Sequence, residues 1–191
     1  MVEVIRRLSL LNEAARAMTT LMAPDELLDR ILDMLREVFG FDACALLLVE
    51  PDGQELRIRR ARGYDEQVVE SFVGRAGGGV IGRALLSEEP VVETDVHRAN
   101  GYVAGVAGAV SEVAVPLRLD DAVIGVIDAE STAALEFSKE DLSLLMSFAS
   151  HAAAVVHNAR LHADLETRSA ALDRKLHVQR LLGQAADAML G

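Results

Sequence analysis

Three kinds of residue in this chain could act on a small molecule: a run of glycines, five scattered histidines and one cysteine. Gly77, Gly79 and Gly82 in "GRAGGGVIGRALL" have the G-x-G-x-x-G spacing of a loop that cradles a dinucleotide's phosphates. Such a loop needs a buried strand running into the first glycine and a helix long enough to cross back over a parallel sheet. The preceding "VVESFVGRA" is no continuous apolar strand, and only about two helical turns fit between Gly82 and Pro90. Glu93 and Asp95 come too early for the acid that would hold a ribose, and no Gly-Lys-Ser/Thr follows. The glycines therefore read as backbone devices that turn the chain sharply into a short helix.

His97, His151, His157, His162 and His177 are never three or four residues apart, so no helical pair can share a metal, and no metal site is expected. Ser111 stands in "AVSEV", outside any Gly-x-Ser-x-Gly elbow. Cys44, alone, excludes an intramolecular disulfide and a Cys-rich zinc site, and its apolar run makes it a small buried hydrophobe. No catalytic set emerges, and the chain is expected not to be an enzyme.

Composition narrows the partners. Of 191 residues 51% are hydrophobic, enough for a substantial core, and the formal net charge is −11. Phosphate affinity comes from Lys and Arg, so neither a nucleic acid nor an anionic membrane is an expected partner. No run approaches the roughly 20 apolar residues of a membrane span, and "MVEVIRRLSLLNEAARAM" lacks a signal peptide's unbroken apolar stretch. With its single cysteine, the chain is expected in the cytoplasm.

The elements that must position any site follow from periodicity. Ile5, Leu8, Leu11, Ala15, Met18 and Met22 step by three and four, which predicts an amphipathic helix over 1–22. "APDELLDRILDMLREVFG" predicts a second helix, with Pro24, Asp25 and Glu26 in its first turn and Gly40 as its stop. "FDACALLLVE" reads as a central strand covered on both faces, "PDGQ" as a turn and "ELRIRRAR" as the returning strand. Short helices follow in "YDEQVVESFV" and "VIGRALLSEE", then a strand after Pro90 and a small-residue loop over 97–111. "SEVAVPLRL" and "AVIGVIDAES", joined by Asp120-Asp121, predict a hairpin. The last third is helical: Ser138 and Asp141 resemble a capping box, and Leu161, Leu165, Leu172 and Leu176 carry an apolar stripe through a charged stretch, as in a coiled coil. "LLNEAARAM" at 10–18 and "LLGQAADAM" at 181–189 share both Leu, three Ala and the Met, an echo that fits an excerpt of a modular protein or chance similarity between helices.

This order of elements resembles the GAF domain, a regulatory sensor fold related to PAS. The motifs that carry the resemblance are "GVIGRALLSEEPVVETDV" and "SEVAVPLRLDDAVIGVIDAES", flanked by "DELLDRILDMLREVFGFDACALLL" and "LLMSFASHAAAVVHNARL". It implies an α+β fold, with core helices on one face of a central antiparallel sheet and short helices and loops over a ligand pocket on the other. The implied organisation is an N-terminal helix over 1–22, a GAF domain over 23–160 and a coiled-coil signalling helix over 161–191. The pocket would lie between the sheet and residues 72–111, lined by Cys44 or Leu46, Arg60, Phe72, Val80, Asp95, His97, Tyr102, Val113, Val115 and Asp128.

Several family chemistries are poorly matched. Bilin-carrying members use a Cys beside a His in the later pocket region, and members that reduce free methionine sulfoxide use several cysteines; this chain has neither feature. Cyclic-nucleotide binders show an Asn-Lys pair, then Phe, three residues and Asp-Glu; here Phe137 and Asp141 are followed by Leu142. No cofactor is required; haem held by His97 and a cyclic nucleotide are the lesser options the resemblance leaves open. Two functions are carried forward. One is a small-molecule sensor that passes its ligand state through dimeric N- and C-terminal helices to an output module. The other is a ligand-free homodimerisation scaffold between signalling modules.

Overall fold

A computed structural model describes residues 23–98, 102–103 and 105–190. The helix expected over 1–22 lies outside the described residues. Two compact units divide the chain between Val155 and Val156.

The first unit opens with α1 (Pro24–Phe39), followed by β1 (Ala43–Val49) and β2 (Glu55–Arg62). Next come α2 (Glu66–Ser71), β3 (Gly74–Arg75), α3 (Gly79–Ser87), β4 (Val91–Glu93) and a 3-10 turn at Val96–Arg98. The hairpin β5 (Ser111–Leu119) and β6 (Ala122–Ser131) leads into α4 (Lys139–Leu190). The strands form one antiparallel sheet in the order β3-β2-β1-β6-β5-β4.

Local chemistry accounts for the element ends. Pro24 starts α1, and Gly40, at φ 74° in the left-handed region, stops it by donating its N–H to Arg36 O at 2.9 Å. Leu28, Ile31, Leu32 and Leu35 fall on one stripe of α1 and are buried, each contributing roughly 1.5–3 kcal/mol. The expected capping box forms at α4: Ser138 Oγ accepts the Asp141 N–H at 3.1 Å, while Asp141 accepts the Ser138 N–H at 3.1 Å. Asp120, at φ 51°, turns the β5–β6 hairpin.

The sheet has two different faces. On one lie Cys44 and Leu46 of β1, Val113 and Val115 of β5, and Ile127 and Ala129 of β6, all buried, together with Arg60 and Arg62 of β2. On this face α1 packs against β1 and β2. Leu145, Phe148, Ala149, Ala152 and Ala153 are buried along one side of the first turns of α4. On the other face Ala45, Leu47, Leu56, Ala114 and Val126 form a cluster with Val80 and Ala84 of α3. A bulge between Leu46 and Leu47 shifts the β1–β2 register by one residue.

The second unit is the part of α4 from Val156 onward. Leu161 and Leu165 are exposed there, four residues apart, and Arg168 pairs with Asp164 at 2.8 Å. Among the described residues no helix is long and apolar enough to cross a membrane.

Candidate functional site

The hairpin register builds the site. Pairing Glu112 with Glu130 and Ala114 with Asp128 sets three acids on the α3 side of the sheet. All three are buried, with Glu112 at 4%, Asp128 at 1% and Glu130 at 2% exposure. Like charges opposite one another destabilise a sheet, and buried carboxylates without cations are more costly still. An apolar set would pack better here, so the acids are not explained by folding alone.

A cavity of about 180 Å³ lies above Glu112, walled by Phe72, Val80, Ile81 and Tyr102. A much smaller cleft of about 10 Å³ adjoins Asp128, Glu130, Tyr64 and Phe72. Phe72, Ile81 and Val103 line both.

Each acid meets different neighbours. Asp128 accepts the Tyr64 hydroxyl on Oδ2. Glu130 accepts the N–H of Gly105 at 3.0 Å, the N–H of Val106 at 2.9 Å and the Tyr102 hydroxyl at 3.3 Å. Gly105 is required for this approach, because a Cβ there would stand 1.9 Å from the Tyr64 ring. Glu112 Oε2 and Asp128 Oδ1 are buried with no donor from the protein. Glu112 and Asp128 are hydrogen-bond neighbours, so a proton on one serves as a donor to the other.

Electrostatics agrees with that assignment. Burial, then the charge of Asp128, pushes Glu112 far above the usual carboxyl range, and burial also raises Asp128. Burial lifts Glu130 to about 7, with the Asp128 charge adding to the rise and the two backbone N–H groups opposing it. Burial and the same acids push the hydroxyls of Tyr64 and Tyr102 up, so both tyrosines remain donors. The cation that acts on Glu112 is Arg83 of α3, whose own hydrogen bond goes to Glu93 at 3.1 Å.

The residues expected to line the pocket separate into three groups. Phe72, Val80, Tyr102 and Asp128 do come together around the two cavities. Cys44, Leu46, Arg60, Val113 and Val115 do not, and the expectation for them is corrected: alternation along each strand turns them to the opposite face. There Arg60 donates to Asp29 of α1 from Nε at 2.6 Å, and burial pushes the Cys44 thiol up. Asp95 and His97 line neither cavity. Asp95 caps the 3-10 turn by accepting the His97 N–H at 3.3 Å, and the His97 side chain faces solvent. Sequence reading missed Glu112, Glu130 and Tyr64.

The glycine run serves the backbone. Gly77 and Gly79 sit at φ 79° and 60°, and a Cβ on Gly82 would meet Arg75 O at 2.0 Å. The helix they introduce spans 9 residues and leads to β4, which pairs antiparallel with β5. A parallel crossover, the setting a dinucleotide loop requires, is not formed here.

Comparison with known proteins places this architecture. The GAF domain of a phosphoenolpyruvate-protein phosphotransferase from Coxiella burnetii matches with a TM-score of 0.75 at 20% identity, covering 84% of this chain and 98% of that one. Free methionine-R-sulfoxide reductase from Neisseria meningitidis, solved in complex with its substrate, matches at 0.71 and 24% identity, covering 82% and 91%. The type II enzyme of that name from Thermoplasma acidophilum matches at 0.63 and 29% identity, covering 71% and 93%. No curated protein matches the sequence. The family model described as "GAF domain" matches residues 22–157. By that match and by its fold, the chain belongs to the GAF domain family, known chiefly for sensor and regulatory domains.

Proposed function

We propose that this GAF domain is a small-molecule-sensing regulatory module of a larger signalling or transcription-regulatory protein. The observation that carries the reading is the polar floor of an apolar cavity: Glu112, Asp128 and Glu130 lie buried beneath Phe72, Val80 and Ile81. A pocket of convergent polar groups in an apolar wall is the arrangement that orients a ligand. Glu130 also holds Tyr102, Gly105 and Val106, so a ligand that engages this acid exchanges contacts with the segment covering it.

A regulatory role is favoured over a reductase role by the cysteine count. Cys44 is the only cysteine, is buried on the opposite face, and has its thiol pushed up by burial, so it offers no thiolate to the cavity. His97, exposed and outside both cavities, gives a haem role no support. The output path we propose is homodimerisation through the terminal helices, supported by exposed Leu161 and Leu165 on α4.

A thermal-shift screen over amino acids, amines, nucleotides and aromatic acids tests the sensor reading, and one class is expected to stabilise the domain. Complete indifference to all of them would leave the second reading, a ligand-free dimer scaffold, which the exposed leucines favour on their own. Sedimentation at tens of micromolar tests the dimer. A dimer that Leu165→Asp dissociates is expected, and a monomeric parent chain would remove the proposed output path.

A further inference from the structure

We propose that the occupant of this cavity is a small organic cation, a ligand bearing a protonated primary amine, which takes the place of a proton on the Glu112–Asp128–Glu130 cluster. The inference rests on the ligand-binding reading above and names the chemistry that the site selects. Two atoms point to it. Glu112 Oε2 and Asp128 Oδ1 each belong to a side chain more than nine-tenths buried, neither has a hydrogen bond from a donor outside the acid pair, and Glu112 lines the larger cavity while Asp128 lines the small cleft. Without ligand, a proton between them is the available donor. An ammonium group carries three N–H donors and a positive charge, and so meets both needs at once.

The surroundings favour a cation over other ligands. An anion would face three carboxyl groups, and a purely apolar ligand would offer them neither a donor nor a charge. Phe72 and Tyr102 offer aromatic walls, which attract cations. Among the described residues, no three His, Cys, Asp or Glu side chains are disposed to share a metal ion. Separate acceptors on β5 and β6 suit the divergent donors of an ammonium better.

The charged and titratable groups around the cluster are Tyr64 before α2, Arg75 of β3, Arg83 of α3, Glu93 of β4 and Tyr102. Arg83 is engaged by Glu93 at 3.1 Å, and the side chain of Arg75 is 78% exposed, 3.6 Å from Glu55. Neither arginine neutralises the acids directly by an ion pair. Binding is thus an exchange: the ammonium enters with its charge, and one proton leaves the Glu112–Asp128 pair for solvent. No bond is made or broken within the ligand.

Titration calorimetry on the whole chain tests the exchange, with n-butylammonium, putrescine and L-leucine as probes and 1-butanol, butyrate and N-acetyl-L-leucine as their counterparts. Phosphate and HEPES buffers serve for the measurement, because Tris is itself a primary amine. At least one amine is expected to bind about a hundred-fold more tightly at pH 8 than at pH 6, with close to one proton released per ligand. Glu112→Gln, isosteric with the protonated acid, is expected to fold normally, weaken amine binding and flatten its pH dependence.

N-acetyl-L-leucine or 1-butanol binding as tightly as the amines would overturn the cation assignment, as would an affinity independent of pH. Either result leaves a ligand-binding pocket standing. If none of the six probes binds but another class from the broad screen does, the cation inference fails alone. If nothing binds in either experiment, the sensor reading fails with it.

Discussion

The two faces of this sheet treat their acids in opposite ways. Against α1, Asp29 accepts from Arg60 at 2.6 Å and lies 2.7 Å from Arg62, while Arg59 pairs with Asp25 and Arg62 with Asp33. Burial alone would raise Asp29, but the hydrogen bonds from Arg60 and Arg62 outweigh it and hold this carboxyl below the ordinary range. Beneath α3, Glu112, Asp128 and Glu130 meet one another, two tyrosines and two backbone N–H groups, and burial raises all three. The first arrangement closes a structural joint. The second leaves the sheet holding protons that a ligand could replace, and a fold has little other use for it.

pH separates the two faces most strongly. A carboxyl raised by folding stabilises the native state fully below its unfolded value near 4, and that stability is lost as pH rises through the folded value. For Glu130 the loss passes through about 7. Asp29 has the opposite sign: its contribution is present above about pH 4 and is lost in acid. The ligand-free domain is therefore expected to lose on the order of 2–3 kcal/mol between pH 5 and pH 8, visible as a falling Tm. A Tm that stays flat over that interval would mean the acid cluster is ionised throughout.

Glu130→Ala is the next largest test. It removes the acceptor of the Gly105 and Val106 N–H groups, and urea unfolding is expected to show a loss of about 2 kcal/mol. Glu130→Gln keeps an acceptor and is expected to lose less than half of that. On the other face, Asp29→Asn is expected to cost about 1 kcal/mol, with the difference shrinking in high salt, because Arg60 and Arg62 remain partly solvated. Glu112→Gln acts in the opposite direction: it is expected to raise stability at neutral pH, because the parent acid must take up a proton on folding and the amide need not. A large loss there would show that Glu112 is charged in the empty domain.

The fold was more legible in the sequence than the site. Pro24, Gly40, Ser138, Asp141 and the Asp120-Asp121 turn announce their elements because each satisfies a local backbone need. The face on which a residue lies is a tertiary property. In β1 the first five residues, Ala43 to Leu47, are all buried, so no polar alternation tells Cys44 from Ala45. Glu112 and Glu130 stand near strand ends, where acids ordinarily meet water, and so did not attract notice. A hairpin centred on Asp120-Asp121 sets Glu112 opposite Ala129; the bulge between Leu117 and Arg118 moves its partner to Glu130, so the unfavourable pairing of the two acids is legible only in the folded register. Tyr64, next to Gly63, had no pattern at all; only the folded chain brings its hydroxyl to Asp128.

The bulge between Leu46 and Leu47 acts on β2 as a frameshift does on a message. Ile58 pairs with Leu47 and Arg60 with Leu46, so the extra residue, Arg59, reverses the facing of everything after it. If the strand ran on without that slip, Arg60 would stand opposite Ala45, itself the neighbour of Asp128 on β6. A guanidinium would then reach toward the acids and could neutralise them from within. One inserted residue thus keeps the arginines with α1 and leaves the pocket's negative charge unspent.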